Sequence, residues 1–398
     1  MMSKEKRRVP KLRFPGFTED WEQRKLRNIV DFLDGQRKPL KESERTKGKY
    51  PYYGASGIID YINDYLFDEN LVLLSEDGAN IIDRNYPVCF IATGKYWVNN
   101  HAHVLKVKTG VIDKFICESL ERLDYTKFNT GTAQPKLNQD ICQKIVITIP
   151  NEDEQKCISE FLDRINNIIT LHQRKLDNLK LKKKALLQKF FPKNGERYPE
   201  LRFPGFTDAW EQRKLLDIST KVTTKNVDVH YTETLTNSAE QGIISQVDFF
   251  DKEISNKDNI NGYYIVDNND FIYNPRISTL APVGPINRNK LNRTGIMSPL
   301  YTVFRASKVD LGFLEWYFQS NHWHRYMKLN GDSGARADRI AIKDSTFFEM
   351  PIKIPVNIKE QVLIGETLEK FNQYITLHQR KLDHLKLQKK ALLQQMFV

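Results

Sequence analysis

Residues 170–191 read TLHQRKLDNLKLKKKALLQKFF and residues 376–397 read TLHQRKLDHLKLQKKALLQQMF, identical at 18 of 22 positions. Around the first copy, Ile158, Leu162, Ile165, Ile169, His172, Leu176, Leu179, Lys183, Leu186 and Phe190 succeed each other in steps of four and three. The second copy keeps those steps at Ile364, Leu368, Phe371, Ile375, His378, Leu382, Leu385, Lys389, Leu392 and Met396. Such alternation is the seam of a coiled coil, because it keeps one face of a helix turned to its neighbour. The spacing predicts two long helices, one central and one C-terminal, packed on each other. It leaves their relative direction open.

Each helix has a start signal. Asn151 precedes Glu154 by three residues and Asn357 precedes Glu360 by three, which predicts a capping box. Glu152, Asp153 and Glu154 suit the positive end of the first helix, and Lys182, Lys183, Lys184 and Lys189 its negative end. His172 and Lys183, repeated as His378 and Lys389, interrupt the seam with polar atoms. They either meet a neighbour or solvent at the seam edge, or they fix the helix register.

A second repeat precedes each variable stretch. Residues 12–26 read LRFPGFTEDWEQRKL and residues 201–215 read LRFPGFTDAWEQRKL, alike at 13 of 15 positions. The two repeats have offsets of 189 and 206, so the second half holds seventeen more residues between its markers. The order is marker, variable body and helix, twice over. This divides the chain into 1–150, the helix 151–192, 193–355 and the helix 356–398. Phe14, Phe17, Trp21 and Leu26 are expected to form a small apolar joint.

Both bodies read as mixed α/β, with short strands and one helix each. In the first, strands are expected at 71–78, 86–93, 101–108 and 144–150, with a helix at 113–123. In the second, strands are expected at 262–274, 300–306 and 350–355, with a helix at 311–327. Loops between them mix basic, aromatic and amide side chains, the residue types that grip phosphates and read base edges. In the first body these loops are 45–57, 96–103 and 129–138. They offer Lys47, Lys49, Tyr52, Tyr53, Ser56, Asn99, Asn100, His101, Thr132, Gln134 and Lys136 as candidate DNA contacts. Loops 274–295 and 330–339 of the second body offer Arg276, Ser278, Arg288, Arg293, Arg336 and Arg339.

The charge agrees with an anionic partner. The 398 residues carry a net charge of +11, with an excess of seven cations in residues 1–200 and four in 201–398. No run approaches the 18 apolar residues of a membrane span. The four cysteines, none in a C-x-x-C pair, read as reduced residues of a cytoplasmic protein, most of them in the core.

Catalytic signatures are missing from the sequence. No Walker loop occurs, and no Gly-rich strand–turn–helix loop for S-adenosylmethionine. YNPR at 273–276 lacks the second proline and the aromatic of an amino-methyltransferase motif. His101 and His103 have metal-like spacing without a third ligand, so no metal site is expected. The reading is of a non-catalytic chain.

Together these residues resemble a known family, the specificity subunits of type I restriction-modification systems. The resemblance rests on Trp21–Leu26 and Trp210–Leu215, the run Gly131–Leu137, Ile149-Pro150…Glu154-Gln155, Ile354-Pro355…Glu360-Gln361, and the repeated A-L-L-Q at 185–188 and 391–394. It covers essentially the whole chain. It implies two target-recognition domains separated by two long conserved helices packed as an antiparallel coiled coil, with pseudo-twofold symmetry. Each domain would read one half of a split double-stranded DNA site. Two methyltransferase subunits would dock on the repeated regions and methylate adenine N6, and restriction/translocase subunits would join them. No cofactor is expected on this chain; S-adenosylmethionine, ATP and Mg belong to those partners. Lengthening both helices by four residues should lengthen the unread spacer. One departure stands out: where the first body has Thr-Ala-Gln-Pro-Lys-Leu, the second has residues 334–339, Gly-Ala-Arg-Ala-Asp-Arg. The rivals are a self-sufficient DNA methyltransferase or nuclease and an RNA-binding or coiled-coil adaptor.

Overall fold

The computed structural model describes residues 8–193, 195–250, 257–332 and 338–398. It resolves into two compact units, Met1–Gln173 with Arg380–Val398, and Arg174–Gln379. The central helix (Glu152–Lys189) gives its first half to unit 1 and its second half to unit 2. For the C-terminal helix (Ile358–Met396) the assignment is reversed.

In unit 1, the marker pairs with the strand that leads into the central helix. Strand β1 (Glu22–Lys25) runs antiparallel to the strand Val146–Ile149, with Glu22 opposite Ile149 and Lys25 opposite Val146. Trp21 and Leu26, on either side of β1, are buried and anchor it. Trp21 packs edge-on against Phe115 and Phe397, at 5.7 and 6.1 Å between ring centres. Arg13 reaches Glu154 with two hydrogen bonds of 2.7 Å, and Leu12 N–H donates to the Gln395 carbonyl. One marker thus joins the start of one long helix to the end of the other. Ile158 and Leu162 share this core with Leu392, Leu393 and Met396, so the two helix halves in this unit run in opposite directions.

A four-stranded antiparallel sheet lies above that joint, ordered β2 (Val30–Phe32), β9 (Ala102–Val107), β6 (Leu71–Ser75), β7 (Cys89–Ala92). Both faces of β6 are buried, which explains its unbroken apolar run Leu71-Val-Leu-Leu74. A second sheet is ordered β4 (Gly57–Ile62), β3 (Lys47–Gly54), β8 (Lys95–Val98), β5 (Phe67–Asp68). Stretches expected as loops, 45–57 and 96–103, are therefore mostly strand. Tyr50-Pro-Tyr-Tyr53 lies within β3, whose register shifts between Tyr52 and Tyr53, and only Asn99–His101 turns between β8 and β9. The strand Val146–Ile149 completes the unit as β10.

Unit 2 repeats the frame. Strand β11 (Glu211–Lys214) pairs with a strand at Pro351–Ile354, and Arg202 makes bonds of 2.7 and 2.8 Å to Glu360. Trp210 packs on Phe313 and Phe191, at 5.6 and 6.2 Å. Phe190 and Phe191 share a core with Ile364 and Leu368, again with the helix halves opposed. The main sheet is ordered β12 (Ser219–Lys221), β19 (Thr302–Ala306), β16 (Phe271–Tyr273), β17 (Ile286–Arg288). Two hairpin-like pairs flank it, β13 (Leu235–Ser238) with β14 (Gly242–Ser245), and β15 (Tyr264–Val266) with β18 (Gly295–Met297). The strand expected over 262–274 is two strands, because Asp267–Asp270 forms a turn in which Asp270 accepts from Asp267 N–H at 2.8 Å. The expected helix 311–327 also divides, into Leu311–Gln319 and His324–Asn330, the first ending at Ser320 in extended backbone. The strand Pro351–Ile354 is β20.

The helix starts differ from a capping box. Asn151 does accept from Glu154 N–H at 2.9 Å, but the Glu154 carboxylate goes to Arg13 rather than back to the cap. Asn357 accepts from Lys359 N–H, and Glu360 goes to Arg202. The neighbouring glutamines work as well. Gln155 accepts from Ile112 N–H and Gln361 from Asp310 N–H, each tying a body helix to a long helix.

Along the seam, Leu176 and Leu382 are fully buried. Ile165, Ile169, Leu179, Leu186, Phe371, Ile375, Leu385 and Leu392 are half-buried. The seam lysines meet neighbours. Within unit 2, Lys183 donates to Asn372 at 2.8 Å and lies 4.5 Å over the Trp316 ring. Within unit 1, Lys389 bonds Glu118 at 3.0 Å. Cys89 and Cys142 are buried and Cys117 is half-buried, but Cys157 is exposed on the helix.

Candidate nucleic-acid interface

The strand registers make the two bodies superimposable on paper. Val72 faces Leu105 and Leu105 faces Phe32 in unit 1; Phe271 faces Phe304 and Phe304 faces Lys221 in unit 2. Strand β6 therefore corresponds to β16, and the segments at their C-terminal ends are held alike. Leu137 N–H donates to the Glu76 carbonyl and Gly78 N–H to that of Pro135. In unit 2, Ile340 N–H donates to the Pro275 carbonyl and Ile277 N–H to that of Asp338. Asp77 lies opposite Lys136, and Arg276 opposite Arg339. Two loops distant in sequence are thus gathered at the end of the central strand in each unit.

These gathered loops carry most of the exposed candidates. Thr132, Gln134 and Lys136 are exposed in unit 1, beside Asn100 and His101. Asn129 accepts from both Gly131 and Lys136 N–H, at 3.0 and 2.9 Å, closing the loop on itself. Gly131 is required there, since a Cβ would stand 1.7 Å from the Gln134 carbonyl oxygen. His101 is paired with Asp77 at 2.8 Å, and Lys136 lies 3.4 Å from Glu76. In unit 2, Arg276 and Ser278 are exposed, and both Arg276 and Arg339 flank Asp338, at 3.6 and 3.9 Å. Arg336 lies outside the described residues. Lys47, Lys49 and Ser56 are exposed on β3 and its turn.

Four candidates point inward instead. Tyr52 is 1% exposed, with its hydroxyl accepting from Leu40 N–H and Arg45 stacked on its ring. Tyr53 is packed between Phe90 and Tyr96. Asn99 is buried and accepts from His101 N–H, which makes it a turn former. Arg288 is largely buried against Glu315 at 2.7 Å. Arg293 is half-exposed but held by two 2.7 Å bonds to Glu233. Residue type signalled polarity at each of these positions, but packing or an ion pair within the fold occupies the side chain.

Polar residues that the sequence reading did not offer as site residues lie beneath the loops. His103 is 1% exposed, with Nδ1 2.6 Å from Asp34 and Nε2 2.7 Å from the Leu137 carbonyl. Arg37 bonds Glu76 at 2.6 Å and the Ala102 carbonyl at 2.7 Å. His101 and His103 thus have separate carboxylate partners. Among the described residues no three His, Cys, Asp or Glu side chains gather as a metal-ligand set. The Asn274 of YNPR is used locally, donating to the Asn237 carbonyl and accepting from Arg276 N–H. Among the described residues no helix is long and apolar enough to cross a membrane.

Residues 18–181 match the family model described as the type I restriction modification DNA specificity domain. A type I restriction enzyme specificity subunit of Methanocaldococcus jannaschii, MjaVIII, is 23% identical over 94% of this chain and 91% of its own. Over nearly its whole length the chain is similar to a type I restriction enzyme specificity subunit. A second relative, the type I restriction enzyme specificity subunit S.HindORF215P of Haemophilus influenzae, is 35% identical over 35% of this chain and 36% of its own length. In fold, the chain is similar to the crystal structure of the type I restriction-modification system S subunit from M. genitalium. That likeness has a TM-score of 0.64 and 12% identity, and covers 98% of this chain and 99% of that one. The small mixed sheets and long helices of this chain thus share the fold of that S subunit.

Proposed function

We propose that each unit of this chain reads one half of a bipartite DNA target and directs partner subunits to it. The observation that carries this reading is the pair of gathered loops. One repeated frame of tryptophan, arginine–glutamate pair and long helix holds both, yet their exposed side chains differ at almost every position. A frame copied for one task with two unlike surfaces suits two unlike half-sites.

On this reading two methyltransferase subunits bring S-adenosylmethionine and methylate an adenine in each half. Restriction/translocase subunits bring ATP and Mg, and this chain supplies no active site. The long helices offer a repeated apolar surface for such partners: Leu171 and Leu377 are 66% and 60% exposed, and Leu181 and Leu387 are 67% and 65% exposed. Paired copies with matched exposure suit one partner docking twice. Sequencing methylated DNA from cells with and without this chain, in the presence of its methyltransferase, tests the proposal. The expected result is one split motif that disappears with the chain. An unsplit motif, or none, rejects it.

A further inference from the structure

Beneath the gathered loops of unit 1 lies a polar network closed off from solvent, with His103 of β9 at its centre. Its Nδ1 stands 2.6 Å from Asp34 Oδ2, and its Nε2 stands 2.7 Å from the Leu137 carbonyl oxygen. A carbonyl oxygen has no proton to give, so Nε2 is a donor. The Asp34 carboxylate also takes Val104 N–H, on its other oxygen, at 2.9 Å, and a carboxylate oxygen accepts, so Nδ1 is a donor too. Two donors make the ring an imidazolium.

Both carboxylates and cations face it, and the carboxylates lie nearer the ring. From the 34–36 turn come Asp34 and Arg37, from the end of β6 comes Glu76 at 3.8 Å, and from the 139–142 helix comes Cys142. Arg37 and Lys136 are held by Glu76, at 2.6 and 3.4 Å. Burial alone would favour the neutral ring. The hydrogen bond to Asp34, with the Cys142 side chain alongside, outweighs it, and the pKa is pushed up to about 10 from an ordinary 6.5. The raised folded-state value means that the stabilisation is complete below pH 6.5 and is lost as pH rises through about 10.

What the cation holds is the exit of the reading loop. Leu137 is fully buried, its N–H is fixed on Glu76, and its carbonyl is fixed on His103. Immediately before it, Thr130 N–H is fixed on Lys136, leaving Thr132, Gln134 and Lys136 exposed on a loop of set shape. Unit 2 lacks this device. By register, two residues back from Leu105 is His103, and two back from Phe304 is Thr302. Two on from Phe32 is Asp34, and two on from Lys221 is Thr223.

Building on the reading given above, we propose that His103, clamped as a cation between Asp34 and the Leu137 carbonyl, is a positioning residue for sequence discrimination by unit 1. It does not touch DNA. It fixes the angle at which the loop 130–136 meets the bases, so it governs one half-site and leaves the other alone.

The test combines two measurements on the full chain. In the first, ¹⁵N-histidine NMR at pH 8 is expected to show both ring nitrogens of His103 protonated, where an exposed imidazole is neutral; a single-proton tautomer overturns the proposal. In the second, His103→Gln and Asp34→Asn chains are co-expressed with the methyltransferase partner and the methylated motifs are sequenced. Folded variants are expected to lose tenfold or more in discrimination at one half-site, with the other half-site unchanged. Should one variant fail to fold, the other decides. Unchanged discrimination in both halves, or equal loss in both, overturns the positioning role and leaves bipartite reading standing. A wild-type chain that directs no split motif overturns both.

Discussion

In unit 1 the central strand β6 runs into Glu76 and Asp77, and Asp77 faces Lys136; in unit 2 the corresponding strand β16 runs into Pro275 and Arg276, and Arg276 faces Arg339. The same place in the fold therefore holds one acidic and one basic residue in one body and two basic residues in the other. At the joint with the long helices the units agree atom for atom, in Arg13 with Glu154 and Arg202 with Glu360. The difference teaches where sequence is free. Side chains that lock the frame have one geometric solution, whereas those at the strand ends are held by backbone hydrogen bonds that any residue can supply.

If the frame is one device used twice, breaking it should cost the same in both copies. Glu154 and Glu360 each have a side chain only 1% exposed, so Arg13→Met or Arg202→Met strands a buried carboxylate. Each change is expected to destabilise its own unit by about 3–5 kcal/mol. Urea unfolding followed by a probe in each unit checks this. A large loss in one copy and none in the other would end the claim of equivalence.

A smaller effect sharpens the comparison. Lys389 and Lys183 occupy one repeated seam position, yet Lys389 meets Glu118 and Lys183 meets Trp316 and Asn372. Lys389→Met leaves Glu118, which is mostly buried, with Asn166 as its remaining partner, at an expected cost of about 1–3 kcal/mol. Lys183→Met gives up a cation–π contact of roughly 0.5–2 kcal/mol. Burial already holds the Lys183 pKa below the ordinary lysine value, so removing its charge also relieves a penalty. Thermal unfolding should rank Lys389→Met as the more damaging change. If a crystal structure of the double variant kept the helix alignment, these lysines would be fasteners for the bodies and not register keys.

The periodic parts of this molecule were legible from sequence. Steps of four and three placed both helices, and apolar runs placed β6, β9 and β10, because local geometry writes those patterns. The Asn-x-x-Glu spacing misled for a physical reason: a glutamate in the first turn can serve the cap or a distant arginine, and Arg13 lies 141 residues away. Likewise Tyr52, Asn99 and Arg288 have the chemistry of readers and the burial of scaffold, and burial depends on partners that the local sequence does not name. The His103–Asp34 link spans 69 residues and left no local signal beyond one histidine on a β-strand.

The smallest expected effect separates the two kinds of strand end most finely. Arg276 is mostly exposed and Arg339 about a third exposed, with Asp338 the counter-charge between them. If both grip phosphates, Arg276→Ala and Arg339→Ala should each lower the slope of log affinity against log salt by about 0.9, uniformly across target sequences. At the unit 1 end Asp77→Asn should do the opposite, since Asp77 presents a carboxylate to His101 at 2.8 Å. Removing it takes one negative charge from this strand end and steepens the salt slope by less than about one unit. Filter binding of the chain, together with the methyltransferase partner proposed above, over a salt series reads all three. An unchanged slope with discrimination lost at a single base pair would make the arginines base readers, and the contrast between the units would then lie in which bases they read and not in how firmly they hold the backbone.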